Sequence, residues 1–281
     1  MISVDAQTQF LGLLGSNLKG SPSCTLHNTL IEKDQLNWLY LPFQTQSLKT
    51  CLEGLKALPF IGGNVTYPYK EQIIPLLDDV DPLVKKVGAV NTILKKKNLW
   101  FGKNSDVGGF TNGYAHLEWN NKDVLILGAG GAARAVLAGI ERLNCGSIYL
   151  FNRTYSRAVQ LAKEFPITPL HSLKEWKHLE NSIIVNTTSV GKNSDHTPWK
   201  DDRSFKINQI VIDIIYKQTP LLVKAIADGA KTINGLPMLV HQAAISYGWW
   251  TNNSKATSHF VDLLFKHFHF EQNHYECSRR I

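Results

Sequence analysis

The sequence predicts an α/β fold in two units, each a mostly parallel sheet with helices on both faces. Three observations carry this. Short apolar runs alternate with amphipathic helical patterns along most of the chain, the order that produces parallel sheets flanked by helices. A glycine-rich turn, "LGAGGAAR", sits mid-chain between an apolar run and a helical pattern. A length of 281 residues with a hydrophobic share of 43% suffices for two buried cores, which sets wholesale disorder aside.

The first unit opens with a strand, "FLGLLG", from Phe10 to Gly15. "TLHNTLIEK" follows as a helix, with Leu26, Leu30 and Ile31 at helical spacing. "LNWLYLPF" is a second strand. "QSLKTCLEGLKAL" is a second helix, with Leu48, Cys51, Leu52, Leu55 and Leu58 on one face. "FIGGNVT" is a third strand, and "VNTILKKKNLWFG" a hairpin turning near Lys97-Asn98. From Asn104 to His116 the pattern is helical and a new unit begins.

That unit reads strand, glycine turn, helix in "DVLILGAGGAARAVLAGIERL", then strand "SIYLFNR" and helix "SRAVQLAKEF". "SIIVNTT" and "IVIDIIY" are further strands, separated by a polar loop containing Pro198, and "PLLVKAIADGA" is a helix ending at Gly229. Two C-terminal helices follow, "MLVHQAAISYGWW" and "SHFVDLLFKHF". The last dozen residues are polar and carry no assigned role.

Composition narrows the function classes. Net charge is +7, but the basic residues fall as singles and short runs such as Lys95-Lys96-Lys97. That is the habit of a solvated hairpin tip, so no nucleic-acid partner is expected. The four cysteines, Cys24, Cys51, Cys145 and Cys277, form no CxxC pair, so no metal site is expected. The start "MISVDAQTQF" lacks a basic end followed by an apolar core, and no run of about 18 apolar residues exists. The expectation is a reduced, cytoplasmic protein with no membrane partner, as a monomer or homodimer.

Gly128, Gly130 and Ala133 fit G-x-G-x-x-G/A directly after a strand and before a helix, the context of a dinucleotide-binding turn. Gly128 permits the turn, Gly130 lets the backbone approach a pyrophosphate, and Ala133 allows close packing of helix on strand. At the end of the next strand an acid would hold the ribose hydroxyls of NAD. Here "NRTYSR" offers Asn152, Arg153, Thr154 and Arg157 instead. Arginine donates a planar fork to phosphate and stacks on adenine, so the cofactor read here is NADP. The plainer alternative, solvated arginines beside a Thr or Ser helix cap, leaves their placement at this strand end unexplained.

The first unit offers a second polar set at its strand ends: Ser21 and Ser23 in "GSPSCTLHN", Asn64, Thr66 and Lys70 in "GNVTYPYKE", Asn91 in "GAVNT", and Asp106 in "GKNSDVGGF". Singly, each has a bland role: helix caps for the serines and Asp106, a turn for Asn91, solvent for Lys70. Jointly, hydroxyls, amides, a lysine and an aspartate suit a small, polyhydroxylated, anionic substrate.

With "NVTYPYK", "GAVNT", "NSD", "GAGGAAR", "NRTYSRA", "NTTSVG" and "NGLPMLVHQAA", the chain resembles the shikimate dehydrogenase family from Gly12 to about Trp250. The resemblance implies an N-terminal α/β substrate domain completed by C-terminal helices (residues 1–106 and 237–281) plus a Rossmann-type NADP-binding domain (107–236). It implies interconversion of 3-dehydroshikimate and shikimate, with Lys70 and Asp106 as the catalytic pair. Ser21 and Ser23 would bind the substrate carboxylate, Thr66, Asn91 and Gln242 the ring hydroxyls, and Tyr216 would face the substrate. Gly128, Ala129, Gly130, Gly131 and Ala132 would cradle the pyrophosphate, and Asn152 to Arg157 the 2′-phosphate. Ile214, Gly235 and Met238 would pack around the nicotinamide.

Departures from the family pattern are Pro22 and Cys24 around Ser23, Lys103 before "NSD", Pro237 in place of a common glycine, and a short loop after Tyr216. Two alternatives stand beside the leading one: a quinate-using paralogue and a catalytically silent NADP-binding sensor. Within the family, quinate users tend to carry Thr where Ser23 stands, and a silent protein needs neither Lys70 nor Asp106.

Overall fold

The computed structural model describes residues 4–177, 180–253 and 257–267. The C-terminal tail and the end of the last predicted helix lie outside the described residues. The chain divides into two compact units. One comprises the described residues of Met1–Gly109 and Val240–Ile281; the other is Phe110–Leu239.

The first unit begins β1 (Gln9–Gly15), α1 (Ser23–Lys33), β2 (Trp38–Gln44), α2 (Leu48–Lys56) and β3 (Phe60–Val65). There follow α3 (Tyr69–Gln72), β4 (Asp79–Val80), α4 (Pro82–Val87), β5 (Thr92–Lys96) and β6 (Leu99–Lys103). The sheet order is β2-β1-β3-β5-β6-β4. β1 pairs in parallel with β2 and β3, and β4 with β6, while β3, β5 and β6 are antiparallel. The hairpin accounts for the antiparallel part. It turns at Lys97 and Asn98, with φ of 50° and 60°, the left-handed pair that matches strand twist. Phe60, Tyr69, Trp100 and the buried leucine face of α2 form the core on one side of the sheet.

Residues 69–88 give two short α-helices, a 3-10 turn (Ile74–Leu76) and a two-residue strand where no element was expected. The α4 helix was nevertheless written locally. Asp81 accepts from Leu83 N at 2.9 Å, Pro82 stands at the first turn, and Gly88 closes the helix at φ 66°, the usual start and stop chemistry. Its six residues are too few to show a helical period.

Helix α5 (Ser105–Tyr114) carries the chain into the second unit. There β7 (Val124–Leu127), α6 (Gly131–Ile140), β8 (Ile148–Phe151), α7 (Tyr155–Ala162) and β9 (Thr168–Leu170) are followed by β10 (Ile183–Asn186) and β11 (Ile210–Asp213). α8 (Pro220–Ala227) and β12 (Lys231–Ile233) complete it. All strands are parallel, in the order β12-β11-β10-β7-β8-β9. The order reverses between β7 and β10, the switch point where a Rossmann sheet binds its ligand. β7, β10 and β11 are buried throughout, as central parallel strands are. β9 and β12, three residues each, are edge strands too short for a sequence pattern. α9 (Leu236–Trp250) and α10 (Thr257–His267) end the described chain. No helix of the described residues is long and apolar enough to cross a membrane.

Candidate active site

In the first unit the polar strand ends converge. Lys70, on α3, donates from Nζ to Asp106 Oδ2 at 2.6 Å. The aspartate side chain is 8% exposed and the lysine 22%, so the pair is sheltered while the ammonium stays reachable. Asp106 is not the cap of α5: Asn104 Oδ1 accepts from Val107 N at 3.3 Å, which leaves the aspartate available to Lys70. The backbone holds this corner together, since Val90 N donates to the Lys70 carbonyl at 2.8 Å and Asn91 N to the Lys103 carbonyl at 3.1 Å.

Behind the ion pair lies a buried hydrogen-bond network. Asn91 Nδ2 donates to Ser105 Oγ at 2.9 Å, and Asn91 Oδ1 accepts from Ser105 N at 2.7 Å. Ser105 Oγ lies 3.4 Å from Gln242 Oε1 and 2.9 Å from Ser246 Oγ. Asn64 Nδ2 reaches Ser246 Oγ at 3.1 Å, and Tyr40 donates its hydroxyl to Asn64 Oδ1 at 2.9 Å. Tyr40 stacks on His27 at 4.4 Å. Both nitrogens of His27 are buried without a hydrogen-bond partner, and burial pushes its pKa down to about 3 against a smaller opposing pull from Asn64. Ser105, Ser246, Thr92 and Tyr40 were not singled out from sequence. Ser246 had one signal, its place four residues after Gln242 on a helix face.

Ser21 and Ser23 sit together at the start of α1, Oγ to Oγ 3.2 Å. The N-cap position of α1 is Pro22, with no side-chain capping bond; Ser21 Oγ accepts from Ser23 N, the first N–H of the helix, at 3.4 Å, and the Ser23 hydroxyl caps nothing. Thr66 follows β3, and its N donates to the Leu14 carbonyl at 2.9 Å. Neither serine, nor Thr66, bonds through its side chain to the Lys70 cluster among the described residues.

In the second unit the glycine turn leaves β7 at its carboxyl end. Gly128 has φ +111°, and a Cβ there would lie 2.7 Å from Thr187 Oγ1. Gly130 is the N-cap of α6, with no side-chain capping bond, and a Cβ added to it would meet no heavy atom within 4 Å. Uncapped N–H groups at the positive end of a helix dipole, faced by open space at Gly130, fit a pyrophosphate. Gly131 and Ala132 open α6, and Ala133 is fully buried. Ala129 lies in the turn between the two glycines.

At the end of β8, Asn152 Nδ2 donates to the Thr154 carbonyl at 2.8 Å. Thr154 is the N-cap of α7, but its hydroxyl makes no capping bond. Arg153 and Arg157 are exposed and form no ion pair among the described residues. This strand end holds two unpaired cations and no acid. On the other side of the switch point, Gly235 N donates to the Ile215 carbonyl at 3.0 Å. A Cβ at Gly235 would fall 1.9 Å from the Ile214 carbonyl oxygen, so only glycine permits this approach. Met238, on α9, is buried. Tyr216 has Lys192 Nζ 6.0 Å from its ring centroid, and burial pushes its phenol pKa up. No cluster of His, Cys, Asp or Glu suited to a metal ion occurs among the described residues.

A Rossmann sheet with an open glycine turn and unpaired arginines, in a chain that also carries a sheltered lysine–aspartate pair, defines a dinucleotide-linked oxidoreductase. Residues 13–93 match the family model "Shikimate dehydrogenase substrate binding domain", and residues 113–215 match "Shikimate / quinate 5-dehydrogenase". The shikimate dehydrogenase (NADP(+)) of Aquifex aeolicus is 42% identical over 252 residues, covering 88% of this chain and 93% of that protein. The crystal structure of shikimate dehydrogenase from Aquifex aeolicus superposes with a TM-score of 0.83 at 40% identity, over 92% of this chain and 99% of that one. The Thermus thermophilus enzyme, solved with NADP(H) and shikimate, gives a TM-score of 0.80 at 29% identity, over 92% and 99% of the two chains. The chain belongs to the shikimate dehydrogenase family, and it is an oxidoreductase.

Proposed function

We propose that this chain carries out the reversible NADPH-dependent reduction of 3-dehydroshikimate to shikimate in the cytoplasm. The observation that carries the reading is the 2.6 Å contact between Lys70 Nζ and Asp106 Oδ2. NADPH, when bound, supplies the hydride. Lys70 gives the proton to the carbonyl oxygen during reduction and takes it from the hydroxyl in the reverse direction. Asp106 accepts from Lys70 and fixes the ammonium where the ring oxygen must lie.

The remaining roles are those that membership of the family implies for the matching residues. Ser21 and Ser23, with hydroxyls 3.2 Å apart at the start of α1, bind the carboxylate. Thr66, Asn91 and Gln242 hold ring hydroxyls, and Tyr216 faces the substrate. The turn from Gly128 to Ala132 cradles the pyrophosphate, Asn152, Arg153, Thr154 and Arg157 take the 2′-phosphate, and Ile214, Gly235 and Met238 shape the nicotinamide pocket. On this reading residues 1–106 with 237–281 are the substrate domain and residues 107–236 the cofactor domain, boundaries close to those of the two compact units.

The test is a spectrophotometric assay of the pure protein with shikimate and with quinate, each with NADP and with NAD. The expected result is turnover with shikimate and NADP well above the other three combinations. Turnover with quinate alone, or none with any pair, overturns the reading.

A further inference from the structure

We infer that Asp213 is a positioning residue for the cofactor: hydrogen bonds accepted by its buried side chain set both the Gly128 turn and the backbone beside Ile214. The inference rests on the cofactor site proposed above. Asp213 ends β11 and is completely buried. Its Oδ1 accepts from Asn186 Nδ2 and from Ile215 N, each at 3.0 Å, and its Oδ2 accepts from Thr219 Oγ1 at 2.7 Å. Each of these donors is uncharged. Burial pushes the Asp213 pKa up, opposed only by these hydrogen bonds. An acid buried without a counter-ion is a costly way to fill space. What it adds over an apolar residue is acceptor geometry.

That geometry runs in two directions. On one branch, Asn186 Oδ1 accepts from Thr188 N at 2.9 Å and from Thr188 Oγ1 at 2.8 Å. Thr187 N and Oγ1 both donate to the Leu127 carbonyl, at 2.9 and 2.8 Å. The two threonines form a wall against the turn, since a Cβ at Gly128 would lie 2.7 Å from Thr187 Oγ1 and 2.8 Å from Thr188 Cγ2. On the other branch, the Ile215 amide held by Asp213 belongs to the peptide chain whose carbonyl accepts from Gly235 N at 3.0 Å. Thr219 also caps α8, accepting from Leu222 N at 3.4 Å. One carboxylate therefore ties the ends of β10 and β11 and the start of α8 to the two stretches assigned to pyrophosphate and nicotinamide.

Three variants of the full chain test this, each titrated separately with NADP and with shikimate and melted thermally. Asp213→Ala removes every acceptor and is expected to raise the NADP Kd about tenfold while shikimate Kd stays within about twofold. Asp213→Asn keeps one oxygen for Asn186 and Ile215 and turns the third bond round, its amide donating to Thr219; NADP Kd should return to within about threefold of wild type. Thr188→Val deletes the far hydroxyl of the network, which donates to Asn186 Oδ1 at 2.8 Å and accepts from the exposed Val190 N at 3.2 Å, and keeps its shape. It should raise NADP Kd about threefold without lowering the melting temperature, and it decides the matter if Asp213→Ala fails to fold.

Wild-type NADP affinity in Asp213→Ala, or in Thr188→Val, overturns the inference. Equal loss of both ligands in Asp213→Ala makes Asp213 a stability residue only, and an Asp213→Asn as weak as the alanine variant shows that charge, not geometry, is at work. If the wild type itself does not bind NADP, the cofactor reading fails and takes this inference with it.

Discussion

In the N-terminal unit, Asn64, Asn91, Thr92, Ser105 and Ser246 are buried and bond one another, whereas in the second unit Arg153 and Arg157 stand exposed without an ion pair among the described residues. On the proposed assignment, the difference follows from what each site has to recognise. Ring hydroxyls are neutral and similar to water, so they are distinguished only by donors and acceptors fixed beforehand in a low-dielectric setting. A phosphate is charged, and exposed cations attract it without fixed geometry. Breaking the interlocked site is therefore expected to cost turnover, and breaking the open one to cost affinity and cofactor choice.

The largest effect is expected at the ion pair. Lys70→Met keeps the apolar stem and removes the proposed proton carrier, so turnover should fall about 10²–10⁴-fold, the usual weight of a general acid–base group. NADP affinity and melting temperature should stay nearly unchanged. Asp106→Asn should also depress turnover, and the double variant should be little worse than Lys70→Met, because the two act as a unit. Steady-state kinetics with separate NADP titration checks this. Near-normal turnover in Lys70→Met would reduce Lys70 to a surface residue and remove the contrast between the units.

Next in size is the response of the closed network to acid. His27 is neutral in the folded state, its pKa lowered from 6.5 to about 3 by burial. The unfolded chain takes up the proton below 6.5 and the folded chain does not. Stability is therefore complete above that pH and is lost as pH falls, by about 1.4 kcal/mol per unit until the folded pKa is reached. From pH 7 to pH 5 this one group should cost about 2 kcal/mol. His27→Phe keeps an aromatic ring against Tyr40 and abandons no hydrogen bond, since neither ring nitrogen has one. Denaturant unfolding at both pH values compares the slopes, and any overpacking cost cancels in the difference. Equal acid loss in wild type and variant removes His27 as the cause.

The two units were unequally legible in the sequence. The second could be read from local pattern: four-residue apolar strands, a glycine turn after β7, and a cationic strand end at Arg153. These depend on neighbours within a few positions. The first unit's site depends on distant ones. Thr92 and Ser246 meet at 2.8 Å across 154 residues, and nothing in either local stretch announces the other. Ser105 was passed over between two more conspicuous residues, although it bonds both Asn91 and Ser246. Asp213 and Asn186 looked like ordinary ends of apolar strands. Their hydrogen bond, and the role inferred from it, appear only when β10 and β11 lie side by side. Conversely, the N-cap positions of α1 and α5 are held by Pro22, without a side-chain bond, and by Asn104, not by Ser23 and Asp106, a distinction of one or two residues that helix propensity does not resolve.

A smaller effect is expected at the open site. Arg153→Asp replaces a fork that suits phosphate with a group that repels it and accepts from a free ribose hydroxyl. The NADP over NAD preference should fall about tenfold, the scale of one charge-assisted contact. The readout is kcat/KM for each cofactor at fixed shikimate. Turnover at saturating NADP should hold, in contrast to Lys70→Met. A wild type that uses both cofactors equally, or a variant whose preference is unchanged, would show that these arginines are solvated surface.

The smallest effect is expected at the serine pair, which combines features of both units: it is charged in its target but fixed in its geometry. Ser23 Oγ accepts from Ser21 Oγ at 3.2 Å, and Ser23 N donates to Ser21 Oγ at 3.4 Å. Because Pro22 is the N-cap of α1 and makes no side-chain capping bond, Ser23→Ala removes no cap, and its stability cost should be within about 0.5 kcal/mol. On the proposed assignment, what it removes is one hydroxyl to the substrate carboxylate. That contact contributes about 1.5 kcal/mol when the acceptor is charged, so shikimate Kd should rise about tenfold at most while NADP Kd stays put. Separate titrations of the two ligands, with a thermal melt, distinguish the outcomes. A drop in melting temperature with both affinities weakened would make Ser23 a folding residue of α1. A change confined to shikimate would place the carboxylate at the start of that helix, where N–H groups left by the uncapped terminus add to the serine pair.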